Sequence, residues 1–159
     1  MRAQQRISVP RTGALTGSRP RMDGFVDYAL QRRALLREVY AGRVGTSEVC
    51  DASPYLKSAA RFHGETTEKR CPICRREFVI NVHYIYGDQL KHAAGQARTR
   101  AELAALADTL GEFQVYVVEV CRGCNWNHLV EQYLLGRAHR MAPPLSEAGA
   151  SATSPTGTV

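Results

Sequence analysis

The stretch Val117-Val118-Glu119-Val120-Cys121-Arg122-Gly123-Cys124-Asn125-Trp126-Asn127-His128-Leu129 sets one cysteine pair between two β-prone runs. Cys71-Pro72-Ile73-Cys74 sets a second pair directly ahead of a third such run. A Cys-x-x-Cys turn lets two sulfurs grip one metal ion from a tight loop, and two such turns complete a tetrahedral sulfur shell. Folding these runs into an antiparallel sheet brings the two turns together at one end. The 46-residue spacer (75–120) exceeds the usual spacing of about 15–20. It carries its own strand and capped helix, so an insertion accounts for the excess. Cys71, Cys74, Cys121 and Cys124 are therefore expected to hold one structural zinc ion. Four sulfurs close the shell to water and substrate, which points to structure rather than catalysis. The redox alternative needs an exposed thiolate at a helix N-terminus, and neither pair leads into a helical pattern.

Outward from the first pair, Phe78, Ile80, Val82, Tyr84 and Tyr86 alternate with Val79, Asn81, His83 and Ile85, a strand with both faces partly apolar. Gly87-Asp88 ends it. Thr99 and Glu102 form a capping box for a helix with Leu103, Leu106, Ala107 and Leu110 on one side, closed by Gly111. Phe113 to Val120 is the most β-prone stretch, and Trp126 to Leu135 reads as a third strand. Upstream, a helix is expected over 23–41, with Phe25, Ala29, Leu36 and Tyr40 on one face and Gly42 as its stop. Thr46 opens a short turn through Cys50. Ser53-Pro54 starts a helix carrying Tyr55, Leu56, Ala59, Ala60 and Phe62, ended by Gly64. Residues 64–70 read as a polar link.

The expected fold class is α+β: an N-terminal helical segment of two to three helices packed on a small antiparallel three-stranded zinc-ribbon sheet with an inserted helix. The division is a disordered basic tail (1–22), the helical segment (23–66), the ribbon domain (67–137, with the inserted helix at about 99–111) and a second disordered tail (138–159). Met22 stands where patterned sequence begins and is a candidate start.

The net charge is +6 over 159 residues, and its location decides its meaning. Residues 1–22 hold five arginines and no acid; residues 23–159 carry 16 basic and 15 acidic side chains. The body is nearly neutral, and four thiolates around zinc would make it slightly acidic. No apolar run approaches a membrane span and no secretory signal is present, so a cytoplasmic location is expected, where paired cysteines serve metals rather than disulfides.

Around the cysteines, Lys69, Arg70, Arg75, Arg76 and Arg122 read either as a nucleic-acid patch or as cations supporting a dianionic centre, and the second reading is favoured. His128, Arg75 and Arg122 are the candidates for support around the thiolates, and His128 is also weighed as a substitute ligand. Cys50 reads as a small buried apolar residue. Trp126 is either a partner anchor or a lid packed over the metal core. Lys57, Arg61 and Arg76 join Trp126 as candidate partner-binding residues. The turn at 47–50 and the helix after Ser53 also allow a helix-turn-helix, although the break at Asp51-Ala52 lacks the usual glycine. The tyrosine-bearing strand 78–86 would suit base stacking or cover by a helix. No paired carboxylates, nucleophile elbow or phosphate-binding loop appears; Asp88, Glu102 and Glu119 fit strand-end, cap and strand-face roles.

The segments VDYALQRRALLREVYAGRVGTSEVCDASPYLKSAARFHGE (26–65), CPIC (71–74) and VVEVCRGCNWNHL (117–129) resemble an actinobacterial family of short proteins of unknown function. Its members share this helical N-terminus followed by paired Cys-x-x-Cys turns. The resemblance spans about residues 25–137, carries over the four cysteines and no catalytic residue, and implies a cytoplasmic protein. The expected function is a non-catalytic zinc-ribbon binding module, docking as an accessory on a larger assembly of transcription or translation. The alternative is direct nucleic-acid binding through helix 54–63 or the basic rim of the knuckles. A protein partner is favoured over nucleic acid; neither a membrane nor a small-molecule substrate is expected.

Overall fold

The computed structural model describes residues 24–137. The basic N-terminal tail, the start at Met22 and the C-terminal tail fall outside the described residues. Element order is β1 (Val26–Asp27), α1 (Ala29–Tyr40), α2 (Thr46–Val49), α3 (Pro54–His63), β2 (Glu65–Arg70), β3 (Phe78–Tyr86), a 3-10 segment (Asp88–Ala93), β4 (Ala97–Arg98), α4 (Arg100–Thr109), β5 (Phe113–Val120) and β6 (Asn127–Leu135).

Local chemistry sets the helix ends. Gly42, at φ +71°, closes α1: its N–H bonds the Val39 carbonyl, while Arg43 N–H reaches Glu38. This Schellman arrangement needs the left-handed residue that glycine supplies without strain. Ser53 Oγ accepts from Leu56 N–H at 3.1 Å, and Pro54 occupies the first turn of α3. Thr99 and Glu102 cap α4 reciprocally, with Thr99 N–H donating to the Glu102 carboxylate at 2.7 Å. Each cap expected from sequence is in place, except that Gly45, not Thr46, caps α2: its N–H donates to Glu48.

The sheet is antiparallel with order β1-β6-β5-β3-β2, and β4 pairs β3 beyond β2. This corrects the three-stranded expectation to six strands. The missed strands are short or polar. β2 read as a link because all six of its residues are polar or charged; it is an edge strand, where charge guards against further pairing. Thr67 Oγ1 donates to the Val79 carbonyl at 2.9 Å and ties that edge down. β1 occupies the start of the expected 23–41 helix by pairing Val26 and Asp27 with Gln132 and Glu131. The helix therefore begins at Ala29, and its inward face is Leu36 and Val39 rather than Phe25 and Tyr40, which are 40% and 57% exposed.

Alternation along β3 and β5 separates two faces. Ile80, Val82 and Tyr84 stand opposite Val120, Val118 and Tyr116, and Ala59 and Ala60 of α3 pack on Val82 and Val120. On the other face, α4 buries Leu103 and Ala107 against Ile85, Phe113 and Val115. Further along that face, α1 buries Leu36 and Val39 against Val79, Trp126 and the cysteines. Tyr55 and Phe62 of α3 are 63% and 68% exposed, and the two alanines between them let the helix lie close to the sheet.

That closeness depends on Gly64. A Cβ there would overlap the Ala60 carbonyl oxygen and Ile80 Cγ2, at the corner between α3 and β2. Gly64→Ala should cost about 2 kcal/mol from overpacking, read as a shift of the urea midpoint at unchanged slope. A shift below about 0.5 kcal/mol would show that the corner yields freely.

Candidate metal centre

The first cysteine loop joins β2 to β3 and the second joins β5 to β6. Because β3 and β5 are neighbours with Ile80 opposite Val120, both loops leave the sheet at the same end. The two loops repeat one conformation. Cys71 N–H donates to the Glu77 carbonyl at 2.8 Å and Arg75 N–H returns to Cys71 at 3.0 Å. In the second loop, Cys121 N–H donates to Trp126 at 2.8 Å and Asn125 N–H returns to Cys121 at 2.9 Å. Arg75 and Asn125, each following a second cysteine, are both left-handed, at φ +58° and +67°.

The sulfurs of Cys71, Cys74, Cys121 and Cys124 all lie within 4.8 Å of one another. Cys71 and Cys124 are 3.5 Å apart, and Cys74 and Cys121 are 3.7 Å apart. A tetrahedron with metal–sulfur bonds of about 2.3 Å has sulfurs about 3.8 Å apart, so this cluster is sized for one ion. Backbone amides point at the sulfurs: Ile73 and Cys74 at Cys71, Gly123 and Cys124 at Cys121, Arg76 and Glu77 at Cys74, Trp126 at Cys124.

Burial raises the thiols of Cys71 and Cys121 and pushes Cys124 up to about 11. At Cys74 burial also acts upward, but the Glu77 and Arg76 amides and the neighbouring sulfurs outweigh it and bring the thiol to about 6. Four thiolates this close repel one another, and a bound cation is what would let all four ionise together.

Arg75, Arg76 and Arg122 are exposed at the rim, and the donors named above at the sulfurs are backbone amides rather than these guanidiniums. Arg61 lies over Phe62, and Lys57 is half-buried on α3. His128 is not in the sulfur cluster. It stacks on Trp126 with ring centroids 5.9 Å apart, and its Nδ1 lacks a partner among the described residues. Trp126, weighed as a partner anchor, is 0% exposed and does not face outward. Its Nε1 donates to Glu119 at 2.9 Å, and Arg32 from α1 donates to the same carboxylate oxygen at 2.5 Å. Glu119 is correspondingly buried, not a surface strand residue, and the Arg32 guanidinium lies 5.9 Å from the Trp126 ring centroid. Tyr40 donates to the Pro72 carbonyl at 2.9 Å, so α1 holds both cysteine loops.

Two features went unread in sequence. The lone acid in Val-Val-Glu-Val, two residues before a cysteine and seven before the single tryptophan, was the available signal for the Arg32–Glu119–Trp126 cluster. Cys50, read as a simple apolar residue, has its sulfur 3.9 Å from that of Cys124.

The mixed α+β fold brings four cysteine sulfurs together at one end of the sheet, a cluster that could hold a metal ion. The chain belongs to the family of unknown function DUF5318, whose profile matches residues 20–148. Among its relatives are the uncharacterized protein Rv0049 of Mycobacterium tuberculosis and the uncharacterized protein Mb0050 of Mycobacterium bovis. Each is 53% identical over 124 residues, covering 78% of this chain and 90% of the relative. No solved structure matches the chain. Among the described residues, no helix is long and apolar enough to cross a membrane.

Proposed function

We propose that the four cysteines hold one structural zinc ion and that the protein is a non-catalytic, cytoplasmic binding module docking on a larger protein assembly. The observation that carries the metal part is the sulfur cluster itself, which can supply all four ligands of a tetrahedral ion and would leave no position for substrate. Nitrogen- and oxygen-preferring metals are disfavoured by an all-sulfur shell, and zinc suits four thiolates without redox chemistry. Support for docking comes from the sheet face that α3 only partly covers. There a groove of about 670 Å³ is lined by Tyr55, Leu56, Tyr84, Tyr86, Tyr116 and Leu129, among others. Rigid aromatic side chains with polar tips are the residues that dominate protein interfaces. The groove lining includes no cation, so a protein surface suits it better than phosphate.

The test is retention of partners by tagged protein from its native host. Bound protein should survive washing from low to moderate salt and nuclease treatment, and be lost in the double variant Tyr86→Ser/Tyr116→Ser with folding intact. Loss of all bound material on nuclease or salt treatment would instead favour nucleic acid.

A further inference from the structure

Five sulfurs, not four, meet at the cysteine end. Cys50 closes α2, where its N–H bonds the Thr46 carbonyl, and its sulfur lies 3.9 Å from Cys124. The loop after it is fastened to the second cysteine loop: Ala52 N–H donates to the Asn125 carbonyl at 3.0 Å, and Asn127 Nδ2 donates to Asp51 at 2.8 Å. The two sulfurs are therefore held as neighbours by a backbone bond and a side-chain bond between the segments that follow them. Cys71 and Cys121 are buried, at 1% and 0% exposure, whereas Cys74 and Cys124 are half-exposed. Of the two ligands that solvent reaches, Cys124 is the one in contact with a thiol outside the tetrahedral set.

We propose that Cys124 and Cys50 form an oxidant-reactive pair whose substrate is a small hydroperoxide, and that their disulfide releases the metal. The proposal rests on the four-sulfur metal reading. The Cys124 thiolate attacks the peroxide O–O bond, forming a sulfenic acid and expelling hydroxide. The Cys50 sulfur then displaces the sulfenic oxygen; an S–S bond forms, the S–O bond breaks, and the Cys50 proton leaves with that oxygen as water. With hydrogen peroxide the sum is one thiolate, one thiol and one peroxide giving one disulfide, one hydroxide and one water; the sulfurs lose two electrons and the peroxide gains them. A disulfide sulfur is a poor ligand, so three thiolates remain and the ion is held weakly. Pairing Cys124 with Cys71, or Cys74 with Cys121, would remove two ligands in one event. Cys50 removes one, and that makes it the easier partner.

The experiment uses full-length protein carrying its zinc, treated with a few equivalents of hydrogen peroxide. Zinc release is followed with a chromophoric chelator, and disulfides are mapped by mass spectrometry without reduction. The first linked peptides should join Cys50 to Cys124, thiol reductant should restore zinc binding, and Cys50→Ser should release zinc at least about fivefold more slowly. Equal release rates in Cys50→Ser, or a first disulfide within the four-sulfur set, would overturn the proposal. The zinc content before oxidation reports separately on the metal centre. Metal-free protein sinks that reading and this one with it, while full zinc with another first disulfide sinks this one alone.

Discussion

Cys121→Ser should yield a chain that does not hold its native tertiary structure at micromolar zinc, and chelation of the unaltered protein should do the same. Cys121 and Cys71 sit at the centre of one of three core clusters, between Leu36, Val39, Val49, Val79 and Trp126. Burial drives their thiols toward the protonated form, so ionising the cluster is electrostatically costly unless a cation neutralises it. A structural zinc site contributes about 10 kcal/mol or more to folding, while a domain's whole stability is about 5–15 kcal/mol. Losing the metal therefore removes most of the margin. Serine binds zinc far less well than a thiolate and leaves a polar hydroxyl in an apolar setting. The near-UV signal of the single tryptophan is the direct readout, since Trp126 lies against the site. A chelated protein with an unchanged near-UV spectrum would contradict the structural role.

Glu119→Ala should destabilise by about 3 kcal/mol, the largest effect expected away from the sulfurs. Glu119 accepts from both Arg32 and Trp126, and its side chain is 4% exposed against 23% for Arg32. Removing the carboxylate leaves a mostly buried guanidinium and a buried indole N–H without an acceptor. Truncating one partner of a buried ion pair costs about 3–5 kcal/mol, and the partial exposure of Arg32 places the effect at the lower end. Glu119→Gln keeps an oxygen acceptor and should cost roughly half as much. Urea unfolding followed by Trp126 emission gives both values, and a loss below about 1 kcal/mol in Glu119→Ala would show that the cluster is not a tie between α1 and the second cysteine loop.

The strands that carry the cysteines were readable because alternation, β-branching and loop residues all agreed. Phe78–Tyr86 and Phe113–Val120 match the expected spans, and β6 begins one residue after the expected start at Trp126. Helix caps at Ser53 and Thr99 were readable because one side chain and one spacing carry the signal. The short edge strands were not. Val26–Asp27 and Ala97–Arg98 are two residues each, too short for a period, and Glu65–Arg70 has an edge strand's polarity. The α1 face was misjudged because β1 takes the first residues of the expected helix and Arg32 turns inward to the buried Glu119, which apolar spacing does not record. Cys50 packs against the apolar cluster as expected, but its sulfur contact with Cys124 was not readable. That contact spans 74 residues of chain, which no local spacing records. The tyrosine groove likewise needs α3 and three strands brought together before it exists.

The most direct measurement is the metal content of purified protein, combined with X-ray absorption at the edge of the bound metal. The account predicts one zinc per chain with four sulfur neighbours at about 2.3 Å. Less than stoichiometric metal in freshly purified, reduced protein, or a shell containing nitrogen or oxygen in place of a sulfur, would contradict it.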